Sequence, residues 1–166
     1  MSIAIYPGSF DPVTLGHLNI IKRASQCFEK VIVCVMINSN KQGMFTPQER
    51  VDPLKRSTER FGNVEVDFSD ELLAAYAKRR KAHVVVKGLR AVSDFEQEVQ
   101  MAVINRKLNP RLETMFLASS EKYTYLSSTI VKEMARYGAD LSDFIPREIV
   151  DDVNARMKQL LERKGN

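Results

Sequence analysis

Five short apolar runs, each separated from the next by a stretch of helical spacing, constrain this chain more than any other feature. The runs at residues 3–6, 31–37, 64–68, 83–86 and 114–118 are rich in β-branched residues and mostly continuous, as in strands buried on both faces. Between them, Leu15, Leu18 and Ile21, with Ile20, Ala24 and Phe28, recur at helical intervals. So do Leu72, Leu73 and Tyr76, and Phe95, Val99, Ala102 and Val103. Strand alternating with helix predicts an α/β chain with a parallel sheet.

Helix boundaries can be read from the same sequence. Thr46-Pro47-Gln48-Glu49 and Ser93-Asp94-Phe95-Glu96 both read as capping boxes, and Pro47 and Pro146 suit first helical positions. Asn109-Pro110 closes the helix before the last strand. Pro53 falls inside the helix that begins at Pro47 and predicts a kink or interruption there. No strand run follows residue 118, and residues 127–137 and 146–163 read as two closing helices. The 166 residues, 44% hydrophobic and 28% charged with no linker, predict one domain over residues 1–166.

Ser2 and the apolar Ile3-Ala4-Ile5-Tyr6 carry no basic leader, and no apolar run approaches membrane-spanning length, so a cytoplasmic protein without a membrane partner is expected. Cys27 and Cys34 have no CxxC spacing and predict neither a disulfide nor a zinc site. Twenty-five basic residues against 21 acidic ones give a net charge of +4, too small an excess to suggest nucleic acid. The densest basic run, Lys78-Arg79-Arg80-Lys81, reads as a solvated helix end complementing the helix dipole.

The seven glycines spell neither GxGxxG nor GxxxxGK[ST], which argues against a conventional dinucleotide fold and a P-loop. Instead Pro7-Gly8-Ser9-Phe10-Asp11-Pro12-Val13-Thr14-Leu15-Gly16-His17 runs from the first strand's carboxyl end, where open α/β sheets bind ligands, into a helix. Gly8 allows a close backbone approach, Ser9 offers a hydroxyl, Gly16 leaves room, and His17 points a donor into an anion-favouring helix start. Taken alone, His17 reads rather as a helix cap, as do Ser127-Ser128-Thr129. Lys41 alone reads as a solvated loop lysine, Leu73 as core and Glu98 as a surface carboxylate. Lys87 and Arg90, flanking Gly88, follow another apolar strand. Three strand ends and a helix start therefore all supply anion binders.

T-x-G-H after the first strand and Leu126-Ser127-Ser128-Thr129-Ile130-Val131-Lys132 near the end resemble the nucleotidyltransferases known for HxGH and ISSTxxR motifs. With Met44-Phe-Thr-Pro-Gln-Glu-Arg50 and Lys87-Gly-Leu-Arg-Ala-Val-Ser-Asp-Phe-Glu96 in the same order, the chain is similar to the bacterial phosphopantetheine adenylyltransferase family. The resemblance runs from Ile3 to about Pro146. It implies a Rossmann-like doubly wound parallel five-stranded sheet with helices on both faces and closing C-terminal helices. It also implies transfer of AMP from ATP to phosphopantetheine, giving dephospho-coenzyme A and pyrophosphate in coenzyme A synthesis.

Position by position, the resemblance implies that Ser9 touches both substrates and that Lys41, Leu73 and Lys87 hold phosphopantetheine. ATP would meet Phe10, His17, Gly88, Leu89, Arg90, Glu98, Tyr123, Thr124, Tyr125, Leu126, Ser127, Ser128 and Thr129, with His17 as the catalytic residue. Magnesium would accompany ATP without protein ligands of its own. A homohexamer and feedback inhibition by coenzyme A are implied as well. Gln97 stands where the family often carries an aromatic, and Lys132 stands where the superfamily pattern has arginine, although lysine is common in this family. Competing readings are a sister transferase acting on nicotinate or nicotinamide mononucleotide or using CTP, and a non-enzymatic nucleotide sensor or RNA-binding domain.

Overall fold

A computed structural model describes residues 2–37 and 43–164, with nothing taken from the side chains of Ser93 and Lys164. The order is β1 (Ile3–Gly8), α1 (Leu15–Cys27), β2 (Lys30–Met36), α2 (Pro47–Thr58), β3 (Val64–Ser69), α3 (Leu73–Arg79) and β4 (Val84–Leu89). Then come α4 (Val92–Leu108), β5 (Glu113–Ala118), a 3-10 turn at Glu121–Tyr123, α5 (Ser128–Arg136), a second 3-10 turn at Arg147–Ile149 and α6 (Val150–Lys164). All four strand pairings are parallel, in the order β3-β2-β1-β4-β5. This is the predicted Rossmann-like α/β sheet, with the ends of each sequence run moved by a few residues at most.

Continuous apolar strands are needed because alternate residues feed two cores. Ala4, Tyr6, Val31, Val33 and Val35 pack with α1, Leu54 of α2, and residues of α5 and α6, whereas Ile5, Ile32, Cys34 and Val85 pack with Ala74, Tyr76 and Ala77 of α3. Tyr76 is fully buried and donates its hydroxyl to Asp67 at 2.7 Å, so its polar end is satisfied. Burial, with the neighbouring Asp67 and Cys34, pushes its pKa upward.

Two boundary expectations change, and so does the reading of the basic run. Helix α4 begins at Val92 with Ala91 at the N-cap and no side-chain cap bond, so the capping box expected from Ser93 is not used. Pro146 sits at the N-cap of the second 3-10 turn rather than at a first helical position as expected, and α6 begins only at Val150. The basic run does close α3, but it is not simply solvated: Arg79 pairs with Glu71 at 2.9 Å, and Arg80 pairs with both Glu65 and Asp67. The box at Thr46 forms as expected, with Glu49 N–H donating to Thr46 Oγ1 and Thr46 N–H to Glu49 Oε2.

Pro53 does not interrupt α2, which runs through it from Pro47 to Thr58. With Ile149 and Val153, Pro53 lines a small cavity at the seam between α2 and the C-terminal segment, while Arg56 bridges Asp52 and Asp152 on the same seam. Tertiary contact therefore overrides the local penalty, although Pro53 still supplies no amide to the Glu49 carbonyl. A helix-interior proline costs about 3 kcal/mol, offset by up to about 1 kcal/mol through a stiffer unfolded chain. Pro53→Ala is accordingly expected to stabilise the protein by about 2 kcal/mol in urea unfolding. An unchanged midpoint would mean that the ring's packing against the C-terminal segment matches the lost hydrogen bond.

Candidate active site

The strand order reverses at β1, whose neighbours are β2 and β4, and the crevice at the carboxyl ends of β1 and β4 is the expected ligand position. A cavity of about 320 Å³ opens there. Its walls are Gly8, Ser9 and Phe10 at the end of β1, Thr14, Gly16 and His17 at the start of α1, Lys87 and Gly88 from β4, Arg90 just beyond it, and Asp94 and Glu98 from α4. Tyr123, Leu126, Ser127 and Ser128 close the far side. A second cavity of about 390 Å³ adjoins it and shares Ser9, Lys87 and Glu98, with Met36, Leu73 and Met101 as apolar lining and Gln97 as a polar one.

His17 is held by the helix start itself. Its backbone N–H donates to Thr14 Oγ1 at 3.2 Å, and the Thr14 N–H donates to its Nδ1 at 3.0 Å, forming a reciprocal cap. The capping and functional readings of this residue are therefore both satisfied. With Nδ1 accepting, the neutral ring carries its proton on Nε2. Burial lowers the His17 pKa to about 4, helped by the positive charges of Arg90 and Lys87, so the ring is neutral near pH 7. Phe10 packs its edge against it at 5.0 Å and against Tyr6 at 5.4 Å. Gly8 makes this possible, since a Cβ there would lie 3.0 Å from the Phe10 ring.

The cations have protein partners. Lys87 Nζ lies 3.3 Å from Glu98 Oε1, at the junction of the two cavities. Arg90 reaches Asp94 through Nε at 3.2 Å and donates from Nη1 to the Leu126 carbonyl at 3.0 Å, spanning the cavity. Ser127 caps α5 by accepting from the Ile130 N–H, and Ser128 donates its hydroxyl to the Pro12 carbonyl at 2.8 Å. The N-terminus of α5, with Ser127 and Ser128 on the wall, thus borders a cavity that also holds Arg90 and Lys87, a setting suited to phosphate.

Of the expected residues, Ser9, Phe10, His17, Gly88, Arg90, Glu98, Tyr123, Leu126, Ser127 and Ser128 line the first cavity, and Ser9, Leu73 and Lys87 line the second. Leu89, Thr124, Tyr125 and Thr129 line neither. Thr124 Oγ1 donates to the Glu121 carbonyl, and the Tyr125 ring packs edge-on to Phe144. Lys41 lies outside the described residues. Asp94, Ser119 and Ile20 also line the first cavity without having been anticipated, and only Asp94, four residues after Arg90, left a readable helical-pair signal.

Residues 5–134 match the cytidylyltransferase-like family. The phosphopantetheine adenylyltransferase of Caldanaerobacter subterraneus subsp. tengcongensis is 52% identical over 159 residues, covering 96% of this chain and 99% of the relative. That of Clostridium botulinum (strain Hall) is 48% identical over 162 residues, covering 98% and 99%. Among solved structures, a candidate nicotinate-nucleotide adenylyltransferase from Vibrio parahaemolyticus superposes with a TM-score of 0.70 over 94% of this chain and 96% of its own. At 18% identity that likeness concerns the fold alone. Near-50% identity along almost the whole of both chains is a closer bond than shared architecture, and the chain belongs to the phosphopantetheine adenylyltransferases of the cytidylyltransferase-like family.

Proposed function

We propose that this protein transfers the adenylyl group of ATP to the phosphate of phosphopantetheine, releasing pyrophosphate and forming dephospho-coenzyme A. The observation that carries this reading is the pair of cavities meeting at Ser9, Lys87 and Glu98, one walled by anion-binding donors and the other partly apolar. ATP occupies the first, and the pantetheine arm runs along Leu73 and Met101 in the second. The two phosphates then meet between Ser9 and Lys87.

A phosphate oxygen of phosphopantetheine attacks the α-phosphorus of ATP, and the bond to the bridging oxygen breaks, its electron pair leaving with pyrophosphate. The nucleophile is already an anion, so no base is needed and the work is alignment and charge stabilisation. Lys87 neutralises the attacking phosphate once that phosphate displaces Glu98. Arg90 and the α5 amides take the triphosphate. The neutral His17 donates from Nε2 to charge developing at the α-phosphorus, a donor fixed in advance by the Thr14 amide.

Magnesium enters as the counter-ion of ATP. Among the described residues no group of three or more His, Cys, Asp or Glu could hold it, and Asp94 and Glu98 already face Arg90 and Lys87. The reading extends to a single domain over the chain, a cytoplasmic location and a homohexamer. Val92, Val103, Ile104 and Leu108 of α4, with Met115 of β5, are largely exposed apolar residues that self-association would cover. Coenzyme A carries the same pantetheine arm and adenosine as the product, which makes it a competitor for both cavities.

Purified protein with Mg-ATP is expected to yield pyrophosphate and dephospho-coenzyme A from phosphopantetheine and nothing from nicotinate mononucleotide; the reverse pattern would move the reaction to a sister transferase. Replacing His17 by alanine or asparagine should lower kcat by about 100-fold or more while ATP binding changes only a few-fold. Asparagine can keep the helix cap, so equal losses in both variants separate the donor role from capping. Nitrogen-15 NMR should find His17 neutral and protonated at Nε2 down to about pH 5, and an imidazolium at pH 6 would sink this assignment. Because the folded pKa lies below the ordinary 6.5, the unfolded chain takes up this proton first. Stability attributable to His17 therefore falls as pH drops from 6.5 toward about 4.

A further inference from the structure

Asp11 is 4% exposed and lines neither the ATP cavity nor the pantetheine cavity, yet it is the most heavily engaged carboxylate near them. Its Oδ2 accepts from the Met44 N–H at 2.8 Å and its Oδ1 from the Phe45 N–H at 2.9 Å. Arg50 Nε stands 3.5 Å from Oδ1, and Lys132 Nζ stands 3.4 Å from Oδ2. Lys132 lines neither cavity either.

From the adenylyl-transfer reading above, we propose that Asp11 and Lys132 form a positioning pair: Lys132 acts on the reaction by holding Asp11, and through it Phe10, His17 and residues 43–46, rather than by binding phosphate.

Three connections run outward from the pair. First, Phe10 adopts a left-handed φ of 48°, which a bulky residue keeps only where its surroundings fix it, and its ring buttresses His17 at 5.0 Å. Second, Arg50 ties the loops together, donating from Nη1 to the Ser9 carbonyl at 3.2 Å and from Nε and Nη2 to the Phe45 carbonyl. A Cβ at Gly43 would run into Arg50 and Asp11, so residues 43–46 can close on the carboxylate only with glycine there. Third, Ser128 and Lys132, one turn apart on α5, grip Pro12 and Asp11 respectively, so the helix whose N-terminus faces the triphosphate is fastened to the segment that carries Ser9 and Phe10. A carboxylate so buried depends on its cations, and removing one leaves charge uncompensated.

The test compares Lys132→Met, Lys132→Arg, Asp11→Asn and the double variant Asp11→Asn/Lys132→Met. Lys132→Met should lower kcat about ten-fold with the Kd for ATP and phosphopantetheine within about two-fold, and Lys132→Arg should restore most of the loss. The double variant should be no worse than Asp11→Asn alone. His17, one of only two histidines, should broaden or shift in the nitrogen-15 spectrum of Lys132→Met. A phosphate ligand would behave otherwise: Lys132→Met would raise the ATP Kd, add to Asp11→Asn and leave the His17 signal alone, and any of these results overturns the proposal. Should Asp11→Asn fail to fold, the two Lys132 variants still decide the matter, since that side chain is about one-third exposed. A wild type that does not turn over phosphopantetheine defeats the activity alone, and the His17 spectrum of Lys132→Met then decides the pair.

Discussion

Everything in this structure follows from the central position of β1. With β2 on one side and β4 on the other, the connections leaving β1 and β4 diverge, one into α1 and the other into α4, and a crevice opens at the carboxyl ends where they part. The two cores flanking the sheet fix this arrangement by burying opposite faces of the same strands. The crevice between β1 and β4 is therefore a consequence of burying Ile5 to one side and Ala4 and Tyr6 to the other. Ser9, Lys87 and Gly88 meet there because their strands end together.

The sheet was legible because central strands buried on both faces need near-continuous apolar residues, as β1 and β2 have, while the edge strand β3 alternates Val64, Val66 and Phe68 with Glu65 and Asp67. Boundaries that depended on tertiary contact were less legible. Ser93 has a sound local capping pattern, yet α4 starts at Val92, two residues before that cap would start it, and Pro53 is tolerated in a helix that Arg56 ties to the C-terminal segment. Much of the candidate site could be read as well, because phosphate chemistry calls for cations and amides at strand ends. What could not be read was which of those groups the protein uses for itself. Ser128 holds Pro12, Ser127 caps α5 and Lys132 holds Asp11, and these pairings span more than a hundred residues of chain except for the local cap. No local pattern encodes partners at such separations.

The electrostatics share one design. Lys87, Arg90 and Lys132 each face a carboxylate, in Glu98, Asp94 and Asp11. The first two pairs are partly exposed, so their mutual attraction is screened and an incoming polyanion can compete for the cation. The third is anchored on a carboxylate with two backbone donors and a second cation, which makes it a strut rather than a reserve of positive charge. Burial of the partner carboxylate, not of the cation, thus separates Lys87 and Arg90, which can turn toward a ligand, from Lys132, which is held to the scaffold.

The cap at the start of α1 has a consequence for how such sequences can drift. The atom that fixes the His17 tautomer is the main-chain nitrogen of residue 14, which every amino acid except proline provides. The threonine hydroxyl serves only the other half of the cap, a task that serine, asparagine or aspartate can also perform. Position 14 is therefore free to vary among polar residues without disturbing the orientation of the ring three residues later. Position 17 has no such latitude, because the same side chain must close the cap with one nitrogen and face the cavity with the other.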